Sequence, residues 1–171
     1  MWASEHEGVV PDLMTLGKGI GGGLALAAVL GRSEPMSTWE PDALSSTFLA
    51  NALNAAAGCA AIDVLREERL VERSARLGAD VLARLQAGLA GLRHVGDVRG
   101  RGLFLGIELV RDSESRTPDA ERAKRIQHVL RDAGVLVGRG GRYENVLILA
   151  PPLVIEEDVV LEAAGTILET V

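Results

Sequence analysis

Between Gly17 and Gly23 the chain reads Gly-Lys-Gly-Ile-Gly-Gly-Gly, five glycines in seven residues. Neither helix nor strand propagates well through that density, because each glycine gives up backbone freedom and returns no side-chain contact. The segment has to be a loop, framed by short regular structure. Leu13–Leu16 ahead of it and Leu24–Leu30 behind it are apolar runs of strand length, too short for helices. The expected order is strand, glycine loop carrying Lys18, strand.

From Asn51 to Leu92 the spacing becomes helical. Ala57, Ala60, Ala61, Val64 and Leu65 share one face, and Leu70, Leu77, Val81, Leu85, Leu89 and Leu92 share another, which predicts two consecutive helices. Beyond Gly91 come strand patterns at Val95–Val98 and Leu103–Val110, split by Gly100-Arg101-Gly102. Thr117-Pro118 then reads as N-cap and first helical residue of a helix with Ala123, Ile126, Leu130 and Ala133 inward and Gly134 as its stop. Short strands are expected at Val135–Val137 and Val146–Leu149. A last helix carries Val159, Val160, Ala163, Ala164, Ile167, Leu168 and Val171 as its apolar stripe. The class is α/β, with two domains expected, 1–69 around the glycine loop and 70–171 as a small sheet covered by helices.

Composition narrows the function. At 47% apolar and 25% charged residues the chain is rich enough in apolar side chains to build a core, and a net charge of -6 gives it no broad attraction for nucleic acid or anionic lipid. No apolar run nears the roughly 20 residues of a membrane span, and no leader pattern opens the sequence, so a cytoplasmic location is expected. Cys59, the single cysteine, sits in an alanine run and reads as a small buried hydrophobe. His6, His94 and His128 share no metal-ligand spacing, and Asp97 and Glu108 read as fold or surface carboxylates.

Of the 18 basic residues only Lys18 and Lys124 are lysines. A lysine amine, unlike a guanidinium, can lose its proton and attack a carbonyl. Lys18 is expected to do so if the flanking apolar runs wall it off from water, since burial disfavours the charged form. The surrounding glycines leave room for a flat ring to approach the backbone. The plain alternative is a solvated lysine in a flexible loop. A second is a nucleotide-binding module, since Gly17 to Gly22 satisfies G-x-G-x-x-G, and that reading requires a helix directly after Gly23. A P-loop does not fit, with Asp12 where glycine is needed and Gly19 after the lysine. Ser45-Ser46-Thr47, ahead of the alanine-rich helix, are either phosphate ligands or an ordinary helix cap.

Several segments together resemble one family. Trp2-Ala3 with Glu5-His6-Glu7-Gly8-Val9-Val10-Pro11-Asp12, followed by Thr15-Leu16-Gly17-Lys18-Gly19-Ile20-Gly21-Gly22-Gly23, is similar to the stretch around the cofactor lysine of class III aminotransferases, the ornithine, 4-aminobutyrate and alanine–glyoxylate type. Ser46-Thr47-Phe48 with Asn51, Gly96 to Leu103, Gly106 to Leu109 and Ala150 to Ile155 resemble later parts of the same family.

The resemblance implies the C-terminal part of a fold-type I transferase that uses pyridoxal 5'-phosphate: the end of the large cofactor domain over 1–69 and the small C-terminal domain over 70–171. It implies Lys18 as the catalytic Schiff-base lysine, with Ser46 and Thr47 on the cofactor phosphate. It also implies a homodimer with the cofactor site at its interface, acting on an amino donor and a keto-acid acceptor. An interaction subunit that kept the fold and lost catalysis is a further alternative. The family's phosphate turn, ring-stacking aromatic and pyridine-pairing aspartate have no counterpart here, so the chain is expected to be a fragment that is inactive alone. Ala25 and Ala52 stand where proline is usual. Ile148 stands where many relatives carry an arginine for the substrate α-carboxylate, which implies a donor lacking that group, unless Arg139 or Arg142 supplies the charge. Trp2 and Trp39 are expected at the site entrance or a dimer contact.

Overall fold

The computed structural model describes residues 1–40, 43, 47 and 49–171. The chain divides into two compact units, Met1–Arg69 and Leu70–Val171.

The first unit begins with a 3-10 turn, Ala3–Glu7, then β1 (Leu13–Leu16), a 3-10 turn at Lys18–Gly21, β2 (Ala28–Gly31), a one-turn helix α1 (Ser33–Met36) and α2 (Ala52–Glu67). The two strands are antiparallel, with Leu13 opposite Gly31 and Leu16 opposite Ala28, so the glycine loop is the connection between paired strands. β2 starts at Ala28 rather than at the expected Leu24. Gly22 and Gly23 take positive φ (58° and 104°), and the Leu24 N–H closes a turn on the Gly21 carbonyl at 3.0 Å, which keeps this stretch out of the ladder. Along α2 the inward residues are Ala57, Gly58, Ala61 and Leu65, while Ala60 and Val64, expected on that face, are exposed. In a helix apolar all round, periodicity does not choose a face. Here Gly58 chooses it, being the position where the neighbouring chain comes closest.

The second unit holds α3 (Leu70–Leu89), β3 (Val95–Arg101), β4 (Phe104–Leu109), α4 (Ala120–Asp132), β5 (Gly138–Gly140), β6 (Val146–Leu149) and α5 (Glu157–Thr170). Its sheet runs β3-β4-β6-β5, antiparallel throughout. Strict alternation puts Leu105, Ile107 and Leu109 of β4 and Leu147 and Leu149 of β6 into one core with Leu77, Val81, Leu85 and Leu89 of α3, Ala123, Ile126 and Leu130 of α4, and Val160, Ala164 and Ile167 of α5. Gly78 lets α3 approach the β3–β4 turn, since a Cβ there would lie 2.0 Å from the Gly102 carbonyl oxygen. Ser74 Oγ of the same helix accepts from the Leu103 N–H at 3.1 Å. The Arg73 guanidinium donates to the Leu153 and Ile155 carbonyls and ties down the Pro151-Pro152 segment.

Three local expectations change. The cap of α4 is Asp119, whose carboxylate accepts from the Arg122 N–H at 3.0 Å, while Pro118 stays extended in a bridge to Val110. Val135–Val137 forms no strand. The Val135 N–H closes the end of α4 on the Leu130 carbonyl, and Gln127 Nε2 donates to the Val137 carbonyl, so the ladder begins only at Gly138. Leu92 and Ala133, expected in the core, are exposed because each lies just past the end of its helix.

Candidate active site

Lys18 follows the end of β1 by two residues and is the first residue of a 3-10 turn. Its φ is +54°, the left-handed region that costs a residue with a Cβ about 1–2 kcal/mol. Such a conformation persists only where the surroundings dictate it. Gly17 before it is extended at φ -163°. The Ile20 N–H reaches back to the Gly17 carbonyl at 3.4 Å, and that of Gly22 to Gly19 at 3.1 Å.

The loop has an open side and a closed one. A Cβ placed on Gly17, Gly19 or Gly23 would meet nothing within 4 Å, so a planar group can lie against the backbone there. Behind the loop stands α2. A Cβ on Gly22 would approach Ala61 Cβ to 3.3 Å, and one on Gly58 would lie 2.4 Å from Leu26 Cδ2 and 3.2 Å from the Ile20 carbonyl oxygen. Asn54 Nδ2 donates to the Ala25 carbonyl at 2.7 Å.

The expectation that apolar walls bury Lys18 is corrected: the residue is exposed. β1 and β2 pair with each other, and Leu13, Leu24 and Leu30 remain exposed instead of closing around the amine. The nucleotide-binding alternative fails on its own criterion. After Gly23 the chain is a bend and then extended to β2, with no helix where that fold needs one.

Thr47 is exposed in a turn four residues before Asn51. The cap of α2 is Asn51, whose Oδ1 accepts from the Asn54 N–H at 3.1 Å, so helix capping does not account for Thr47. Ser46 lies outside the described residues. Among those described, no hydrogen bond joins Thr47 to Lys18.

Elsewhere several of the polar residues have structural partners. Arg99 bridges Asp97 at 3.0 Å and Glu108 at 2.7 Å, and its guanidinium is held above its usual range chiefly by Glu108, against the opposing effect of burial. His94 Nε2 lies 2.6 Å from the Val171 carbonyl oxygen, and no metal-holding group of His, Cys, Asp or Glu occurs among the described residues. Cys59 is exposed, not buried as expected, because it lies on the side of α2 away from the loop. Trp2 lines an open groove of about 400 Å³ with Val9, Val10, Met14 and Leu30, and Trp39 is exposed. Ile148 sits in β6 with Gly106 and Gly138 as its cross-strand partners. Arg139 Nη1 donates to the Glu144 carbonyl at 3.2 Å and lies 3.6 Å from the Glu144 carboxylate, while its Nε is buried without a partner, and Arg142 stacks on Tyr143 at 5.8 Å.

A lysine presented on a glycine loop between paired strands, ahead of a small α/β unit, now has its counterpart among known proteins. The family model for aminotransferase class III matches residues 1–171. The chain belongs to the class III aminotransferases. This aminotransferase chain is 41% identical over 174 aligned residues to the diaminobutyrate–2-oxoglutarate aminotransferase of Rhizobium meliloti, an alignment covering 97% of the chain and 36% of that protein. It superimposes on a Bacillus anthracis aminotransferase with a TM-score of 0.89 at 32% identity, covering 98% of this chain and 40% of the other. A Toxoplasma gondii ornithine aminotransferase, crystallised with oxidised glutathione and with partial occupancy of pyridoxal phosphate at its active site, matches with a TM-score of 0.86 at 31% identity over 98% of this chain and 38% of its own. The fold is thus that of the pyridoxal-phosphate aminotransferases, of which the chain spans well under half.

Sequence reading gave no role to Asn54 or Gly58 of this aminotransferase chain. The available signal was their interruption of the alanine run from Ala52 to Ala61, where a polar and a flexible residue replace good helix formers.

Proposed function

We propose that this chain carries the cofactor lysine of an enzyme that moves an amino group from an amino acid, ω-amino acid or amine to a keto acid. Lys18 is the catalytic residue and pyridoxal phosphate the cofactor. The observation that carries the reading is the presentation of Lys18: exposed, left-handed, and flanked by glycines whose open side admits a flat ring. When bound, pyridoxal phosphate supplies an aldehyde with which amines condense and a ring system that withdraws electrons from the substrate carbon. Lys18 Nζ would hold that aldehyde, and when free the same Nζ would accept a proton from the substrate carbon and later deliver it, base first and acid second. The loop's fixed backbone keeps Nζ near one locus through both transfers.

Thr47, exposed and not used as a cap, is the candidate phosphate ligand, with Ser46 beside it in sequence. In this reading Thr47 serves the site of a second copy, which makes the enzyme a homodimer, and its location is the cytoplasm. Ile148, a hydrocarbon between two glycines, offers no partner for an α-carboxylate and favours donors without one, with Arg139 already engaged by Glu144.

The test is an absorbance spectrum of the protein expressed from its full coding sequence and purified with pyridoxal phosphate, beside Lys18→Ala, before and after borohydride. A visible-edge band that borohydride fixes to wild type alone is expected. Equal spectra for the two proteins would reject the cofactor assignment and leave the cofactor-free subunit.

A further inference from the structure

We infer that Asn54 and Gly58 of α2 are positioning residues for Lys18, holding the lysine in its left-handed conformation from the closed side of the loop. The inference rests on the reading of Lys18 as the cofactor lysine and assigns the device that presents it.

Three observations converge on it. Among the described residues of Met1–Arg69 only Gly21 and Gly58 are buried, and they lie on either side of Leu26: a Cβ on Gly21 would come within 3.1 Å of Leu26 Cβ, and one on Gly58 within 2.4 Å of Leu26 Cδ2. The best-packed point of this unit is therefore the back of the Lys18 loop. Asn54, one helical turn before Gly58, fixes the return path of the loop through its 2.7 Å hydrogen bond to the Ala25 carbonyl. Its own N–H is held by Asn51 at the helix cap, so the tether is anchored to the start of α2. Lys18, a non-glycine residue at φ +54°, stores conformational strain that would relax if the loop were released. A loop clamped at Ile20–Leu26 has its entrance fixed as well, because the Ile20 N–H is bonded to the Gly17 carbonyl on the other side of the lysine.

A clamp that works against strain differs measurably from one that merely adds contacts. In the protein expressed from its full coding sequence, Asn54→Ala removes the tether without weakening α2, alanine being the best helix former. Hydrogen exchange over peptides covering 18–26 should then accelerate about five-fold or more, with Leu70–Val171 unchanged. The same substitution in a Lys18→Gly background, where positive φ is unstrained, should accelerate exchange less than two-fold. Gly58→Ala, which drives a methyl into Leu26, should repeat the contrast. Equal acceleration in both backgrounds, or none in either, overturns the positioning role.

Trapping by pyridoxal phosphate and borohydride reads the consequence, with Lys124 as reference. Asn54→Ala should lower the Lys18:Lys124 labelling ratio about three-fold, and an unchanged ratio with a loosened loop would also overturn the role. If wild type labels Lys18 no faster than Lys124 while the strain coupling is present, the cofactor reading fails and the positioning of Lys18 by α2 stands.

Discussion

In Leu70–Val171 the helices and the antiparallel sheet leave Leu77, Leu85, Ile107, Leu130 and Leu147 without solvent exposure, whereas in Met1–Arg69 the buried residues among those described are two glycines. The first unit is not short of apolar side chains: Val10 is 75% exposed, Leu53 70% and Val9 55%. It lacks layers. A two-stranded ribbon and one long helix cannot enclose a volume, while a four-stranded sheet with helices on one face can. Apolar surface left bare in this way is characteristic of an interface, which the proposed dimer would supply. The unit that holds Lys18 is thus the one that cannot complete its own core, and the close approach of Gly58 to Leu26 lies behind its glycine loop.

Substitutions should separate the units sharply. Leu85→Ala, in the closed core, should cost about 2–5 kcal/mol in chemical denaturation, and a cost near zero would mean that this core is not cooperative. Asp119→Ala should cost about 1 kcal/mol through loss of the α4 cap. Burial alone would raise the Asp119 carboxyl, but the Arg122 N–H and guanidinium outweigh it and hold it below its usual value. A lowered folded value means that the contribution is complete above the unfolded value, near 4, and is lost as pH falls through the folded one. Asp119→Asn, which keeps an acceptor without the charge, should flatten the acid side of a Tm–pH curve below about pH 4, and an identical curve would remove Asp119 from the acid sensitivity. Smallest of all, Leu53→Ala on the bare side of α2 should change stability by about 0.5 kcal/mol or less. A core-sized loss there would show that Leu53 is covered in solution and that the contrast between the units is smaller than described.

Much of this was legible in the sequence because it depends on local periodicity. The alternation in β4 and β6 and the four-residue spacing of Leu77, Val81, Leu85 and Leu89 follow from which residues must face away from water. The glycine density around Lys18 dictated a loop, and the lysine's chemistry and long motif match directed attention to it. What failed were ends and faces. Pro118 was a plausible first helical residue until Asp119 offered a better-placed oxygen, and Val135–Val137 read as a strand until their backbone was spent closing α4.

The sequence by itself determined the family and most of the regular elements and singled out Lys18, since each follows from side-chain identity and short-range spacing. Only the tertiary structure decided that Lys18 is exposed and left-handed, that Thr47 is not a cap, and that Gly58 and Asn54 stand behind the loop. The last of these depends on contacts between segments some thirty residues apart, and no local pattern specifies which face of an apolar helix, or which of several glycines, another stretch of backbone will meet.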